Sequence, residues 1–137
     1  MSARREAFLA GERPDDVAIF IDDAVVEGDL SDAAERTDEG WLLVVDGESG
    51  RSVFQRLAGV DPMAFARQAG DNRTSVSRDL IDGECPVDTE HTPEYVFAFV
   101  EAQNEDVGGL YAEGPVVHAY AHCECGTDYS ERWVAGD

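Results

Sequence analysis

Two strand-like segments near the C-terminal end constrain this chain most: Tyr95-Val96-Phe97-Ala98-Phe99-Val100, and Val116 to about His122. The first is dense in aromatic and β-branched residues, as a buried strand should be. The second begins just after Pro115, where a proline is tolerable. Between them, Asn104 to Gly114 holds Gly108-Gly109 and reads as a turn region. Strands joined this way pair antiparallel, so the start of the first lies beside the end of the second. Two further apolar runs bounded by polar residues, Val17–Ile21 and Trp41–Val45, read as buried strands, and 131–134 as a short last one. Short helices are expected over 1–10, over Arg51–Leu57 after a tight turn at 46–50, and from Pro62 to Gly70 with Asp61 as N-cap. Ser31 is expected to cap one helical turn, and 71–93 reads mainly as loop. The expected fold is a single α+β domain over residues 1–137, a mainly antiparallel sheet with two or three short helices on one face and a C-terminal hairpin.

Side-chain alternation adds detail to the hairpin. Tyr95, Phe97 and Phe99 fall on one side of their strand; Val117, Ala119, Ala121 and Cys123 fall on one side of the other. Large rings against small side chains suggest a core face, with His118, Tyr120 and His122 on the opposite face. The hairpin foot then collects the chain's chemistry. Cys85, Asp88 and His91 precede one strand, while His122, Cys123 and Cys125 end the other. These six are the candidate metal ligands, and antiparallel pairing brings their two loops together. His118 is excluded, because it lies ~13 Å from His122 along a strand. Two readings remain open at this level. The cysteines are ligands of one ion, or they are reduced core residues, since free cysteine is among the most buried types.

The pattern Cys85-Pro86-Val87-Asp88, hairpin, Cys123-Glu124-Cys125-Gly126 resembles a zinc ribbon, in which two turns of the CPxC and CxxCG kind grip one zinc. The resemblance spans residues 83–130. It departs where Asp88 replaces the second cysteine of the first turn, and where the second turn reads C-x-C, or His122-x-x-Cys125. The resemblance implies a structural zinc, completed by Asp88, His91 or His122. The whole chain also resembles a small haloarchaeal family of unknown function, through the Asp61-Pro62 helix, the Cys85-Pro86 turn and the closing Cys123-Glu124-Cys125-Gly126. That likeness implies a habitat and no activity.

Charge points the same way. Thirty Asp and Glu oppose ten basic residues, all of them arginine, for a net charge of −20. The carboxylates are spread over every segment and form no tail, which suits a halophilic protein in a potassium-rich cytoplasm, where salt screens self-repulsion. Three cysteines are too few, and odd in number, for a disulfide scaffold. No apolar run approaches the ~20 residues of a membrane helix, and the N-terminal apolar stretch is too short for a signal peptide. Gly47-Glu48-Ser49-Gly50-Arg51-Ser52 lacks the P-loop lysine, and His122-Cys123-Glu124 has no P-C-x-x-C to follow it. The expectation is a cytoplasmic, non-catalytic binding or adaptor module with a zinc-ribbon-like site and a protein partner. Nucleic acid is not excluded, though no basic-aromatic stripe supports it. The competing class is a metal- or thiol-dependent enzyme using the Cys/His cluster.

Overall fold

The computed structural model describes residues 3–25, 34–37, 39–88 and 90–135. Six strands form one antiparallel sheet: β1 (Asp16–Asp22), β2 (Glu35–Arg36), β3 (Gly40–Asp46), β4 (Pro93–Glu101), β5 (Val116–Cys123) and β6 (Asp128–Val134), in the order β2-β3-β1-β4-β5-β6. Four helices accompany it: α1 (Ala3–Leu9), α2 (Gly47–Ala58), α3 (Pro62–Gly70) and the single turn α4 (Leu110–Glu113). This is the α+β class expected. The helical turn expected from Ser31 falls mostly outside the described residues, and Glu35–Arg36 pairs with β3 instead. Among the described residues no helix is long and apolar enough to cross a membrane.

β1 lies between β3 and β4 and is buried along nearly its whole length. That explains its unbroken apolar run, since a strand covered on both faces has no solvent side to fill with polar residues. On one face Val17, Ile19, Ile21, Tyr95 and Phe97 pack beneath Phe54 of α2 and Phe65 and Ala69 of α3. On the other, Ala18, Phe20, Val96, Ala98, Val117, Ala119, Ala121 and Cys123 pack against Phe8 of α1 and Val76, Leu80 and Cys85 of the 71–92 loop. The helices therefore do not share one face.

Register corrects a second expectation. Tyr95 pairs with His122, Phe97 with Tyr120 and Phe99 with His118, while Val96, Ala98 and Val100 pair with Ala121, Ala119 and Val117. Directly paired residues point to the same side. The rings thus share a face with the histidines, and the small side chains lie with Val96, Ala98 and Val100. Alternation had separated the residues correctly within each strand; with both faces covered, size matching gave no guide to which set meets which.

α2 starts four residues before the expected Arg51. Asp46 accepts a hydrogen bond from the Ser49 N–H at 3.0 Å and so caps it. The two glycines of its first turn read as a turn but serve packing: a Cβ on Gly50 would fall 2.0 Å from Val17 Cγ2, and Val17 is only 2 % exposed. Alanine gains ~1 kcal/mol over glycine in an unhindered helix, whereas overpacking costs ~1–3 kcal/mol. Gly50→Ala should therefore destabilise the fold, by about 1–2 kcal/mol net, in denaturant melts at constant salt. A more stable variant would mean that α2 does not sit so tightly on β1.

Candidate metal centre

The site is built where β4 begins and β5 ends. Pro93 pairs with Cys123, with a register shift before Tyr95. Just outside the ladder the Glu124 N–H donates to the Thr92 carbonyl at 3.1 Å, and the Thr92 hydroxyl lies 3.2 Å from a Glu124 carboxylate oxygen. This clasp sets the segment carrying His91 against the β5–β6 turn. In that turn the Cys123 N–H donates to the Thr127 carbonyl and the Gly126 N–H to the Cys123 carbonyl. Gly126, at φ 93°, occupies the left-handed region that only glycine enters readily. The Cys125 N–H points at Cys123 Sγ, 3.5 Å away. On the other side the Val87 and Asp88 N–H groups are directed at the Cys85 sulfur. Both loops thus wrap a sulfur in backbone donors, as metal-binding knuckles do.

One ligand atom from each of Cys85, His91, Cys123 and Cys125 lies within 4.8 Å of all the others. Cys85 Sγ and Cys125 Sγ are 3.7 Å apart. A disulfide would need ~2.05 Å; a tetrahedral ion with ~2.3 Å metal–sulfur bonds separates two sulfurs by roughly 3.7 Å. Cys85 and Cys123 are buried, whereas Cys125 sits at the rim. His91 Nδ1 is buried and has no hydrogen-bond partner. A polar atom in that condition normally costs stability, and an ion among the sulfurs would give it one. These four residues could hold a metal.

The electrostatics express the crowding. Burial pushes the Cys123 thiol up to about 12, against the Cys125 N–H that favours its thiolate. The Thr127 hydroxyl and N–H bring Cys125 down to about 6. Burial also pushes Cys85 upward, but the Asp88 N–H, His91 and the Val87 N–H outweigh it and its net shift is downward. The Cys85 sulfur, and secondarily that of Cys125, raises His91 despite its desolvation. Beneath the cluster Tyr129 is fully buried, and burial, then the charges on Cys123 and Cys85, push its phenol up. A Cβ on Gly83 would fall 2.6 Å from the Tyr129 hydroxyl, so glycine is what lets the 71–92 loop close over this ring.

Of the six candidate ligands the structure gathers four. Asp88 remains outside: its carboxylate accepts the Glu90 N–H at 2.9 Å, and its carbonyl accepts the His91 N–H at 3.0 Å. It shapes the turn that swings His91 inward. His122 also lies apart, one residue from Cys123 and hence on the opposite face of the sheet. Its Nδ1 pairs with Asp128, its Nε2 lies 3.7 Å from Glu94, and its ring stacks on Tyr95 with centroids 4.8 Å apart. Thr127 is the contributor that sequence reasoning missed; nothing but its place after the Cys125-Gly126 turn marked it.

A model of a family of unknown function, DUF5807, matches residues 34–136, which includes every residue of the cluster. The chain belongs to that family. Comparison with curated proteins and with solved structures found no match. The DUF5807 match covers most of the sheet together with both turns, so the Cys/His cluster lies within the family's own region and not in an appended segment.

Proposed function

We propose that this domain is a non-catalytic binding module in which a zinc ion, held by Cys85, His91, Cys123 and Cys125, locks the 71–92 loop to the foot of the β4–β5–β6 sheet. The observation that carries this reading is the convergence of four donors of the Cys₃His type on one point. Three sulfurs and an imidazole suit zinc among the divalent ions. Four protein ligands fill a tetrahedron, leaving no position for the water a catalytic zinc activates. The site then supports stability, and a protein partner would read the surface built on it. Val87, 69 % exposed at the tip of the first knuckle, is the apolar residue nearest that role. The same reading places the protein in a reducing, potassium-rich cytoplasm. Three free thiols and a chain with thirty acidic residues against ten arginines support that setting.

Protein purified in concentrated KCl should contain one zinc per chain by elemental analysis. Its cobalt-substituted form should show the tetrahedral, thiolate-rich absorption of an S₃N site. A chain that retains no metal and folds identically with or without zinc would end the proposal. One observation favours a second reading, thiol chemistry at Cys125, which is exposed and has its pKa lowered to about 6. Alkylation separates the two: a zinc-bound Cys125 should resist iodoacetamide until the protein is chelated, whereas a free reactive thiolate should be modified at once.

A further inference from the structure

The far end of the β5–β6 pair carries a second feature, unrelated to the metal centre. A cavity of about 160 Å³ opens between the end of α3 and this part of the sheet, lined by Gly70, Arg73, His118, Tyr120, Ser130, Glu131 and Arg132. We propose that it binds the dianionic phosphate of a small phosphate monoester, gripped by Arg73 and Arg132.

Charge distribution is the first argument. The chain has ten arginines among thirty carboxylates, so two guanidiniums on one cavity concentrate positive charge against the trend of the molecule. Arg4 and Arg13 pair with Asp16, Arg5 with Glu35 and Arg36 with Asp23. Among the described residues Arg73 and Arg132 have no carboxylate within ion-pair distance, as is also true of Arg51, Arg56, Arg67 and Arg78; what sets the two apart is that both line the same cavity. Two guanidiniums match the charge of a phosphate monoester, and their planar N–H forks match its oxygens.

Preorganisation is the second. Arg73 leaves a segment stitched to β6: the Ser130 N–H donates to the Asn72 carbonyl and the Thr74 N–H to the Ser130 carbonyl, both at 3.0 Å. The Asn72 side chain adds a bond to the Asp128 carbonyl at 3.1 Å. Arg132 is steered by Tyr111, whose hydroxyl accepts from Nη1 at 3.4 Å and whose ring centroid is 5.9 Å from the guanidinium carbon. The backbone bearing Arg73 is thus fixed before any ligand arrives, which limits the ordering cost of binding.

The floor is aromatic. His118 stacks on Phe99 at 4.9 Å and lies near-parallel to Tyr120 at 6.4 Å. Burial, together with Arg132 and Arg73, holds the His118 pKa below its usual value although Glu101 pulls the other way. Its Nε2 is 3.2 Å from the Tyr111 hydroxyl and 4.0 Å from Glu101. An apolar, ring-lined floor beneath two cations favours a phosphate carried on a flat organic group over phosphate alone. Two carboxylates oppose the proposal, and neither closes the site. The Glu131 carboxylate accepts the Val76 N–H at 2.8 Å, towards the other face of the sheet, and Glu101 is directed at His118. The volume, several times the ~30 Å³ share of one water, accommodates a phosphate with its first ester atoms.

The test titrates the protein as purified, metal included, with phenyl phosphate, inorganic phosphate and a short single-stranded oligonucleotide lacking terminal phosphates, at constant KCl. Amide shifts are followed by NMR. Phenyl phosphate should give saturable shifts centred on Gly70, Arg73, Ser130 and Arg132, with inorganic phosphate weaker. Arg73→Gln and Arg132→Gln should each weaken binding at least tenfold while melting temperature and metal content stay unchanged. Failure to saturate, shifts unaffected by either variant, or equal binding of the phosphodiester oligonucleotide would overturn the proposal. So would reproduction of the same shifts by raising chloride alone.

Discussion

Cys123→Ser should abolish metal binding and lower the melting temperature of the chain by more than any other single substitution. Structural zinc contributes ~10–16 kcal/mol to small zinc-binding peptides, and the total stability of a domain is ~5–15 kcal/mol. The sheet here has a core of its own, so the loss should fall well short of the peptide value. Even ~3 kcal/mol, however, would lower the melting temperature by roughly 10 °C. Cys85→Ser and His91→Ala should follow Cys123→Ser closely, because Cys85 and His91 hold the loop side of the clasp. Cys125→Ser should be milder, since Cys125 is at the rim and a water can take its place. Asp88→Ala and His122→Ala are the decisive controls. Each was a candidate ligand by spacing, but Asp88 serves its own turn and His122 lies on the far face with Asp128 and Tyr95. Both should keep one zinc per chain and lose only modest stability. Differential scanning calorimetry with and without chelator, alongside elemental analysis, reads the series. If chelator shifts neither the parent nor any variant, the cysteines are core residues and the metal has no part in folding.

The difference between those two controls and the four clustered residues shows what could be inferred from sequence. Convergence of the two loops was legible, because it follows from antiparallel pairing of two strong strands and needs no knowledge of side-chain direction. Selection among the six candidates was not. His122 and Cys123 are adjacent in sequence and so face opposite ways; deciding which one faces the Cys85 loop required the register, and the register depends on how 102–115 turns. Cross-strand size matching misled for the same reason. The strands β1, β3, β4 and β5 were visible as apolar runs, and Asp61-Pro62 marked α3 through its cap. The start of α2 was obscured by Gly47 and Gly50, whose low helix propensity is overridden by the close approach to Val17. The phosphate cavity had no sequence signature at all: Arg73, His118 and Arg132 lie on three separate elements, and only the annealing of 72–74 onto Ser130 unites them.

Transfer from concentrated KCl to dilute buffer should lower the melting temperature by more than any single substitution outside the metal centre. The net charge is −20; ten arginines cannot neutralise thirty carboxylates, and among the described residues Asp16 alone takes two of them, Arg4 and Arg13. Most carboxylates therefore see mainly one another. At ~0.1 M salt the Debye length is ~10 Å, comparable with the ~14 Å radius of gyration of a domain this size, so each charge is repelled by much of the molecule. At ~1 M it falls to ~3 Å and only immediate neighbours count. Unfolding moves the charges apart, so dilution favours the unfolded chain. Screening of this kind saturates near molar salt, whereas stabilisation through exclusion of solute from the surface keeps rising with concentration. A KCl titration compared with sucrose at equal concentrations separates the two, and a melting temperature indifferent to KCl would refute the electrostatic account. The two large effects should be nearly independent. Zinc bound to three thiolates and a neutral imidazole leaves one negative charge; without the ion the Cys125 thiolate carries one, while burial keeps the Cys123 thiol protonated and the raised His91 favours a cation beside Cys85. Chelation should therefore cost about as much in dilute buffer as in concentrated KCl, and a cycle of melts with and without chelator at both salt levels should return an interaction term near zero.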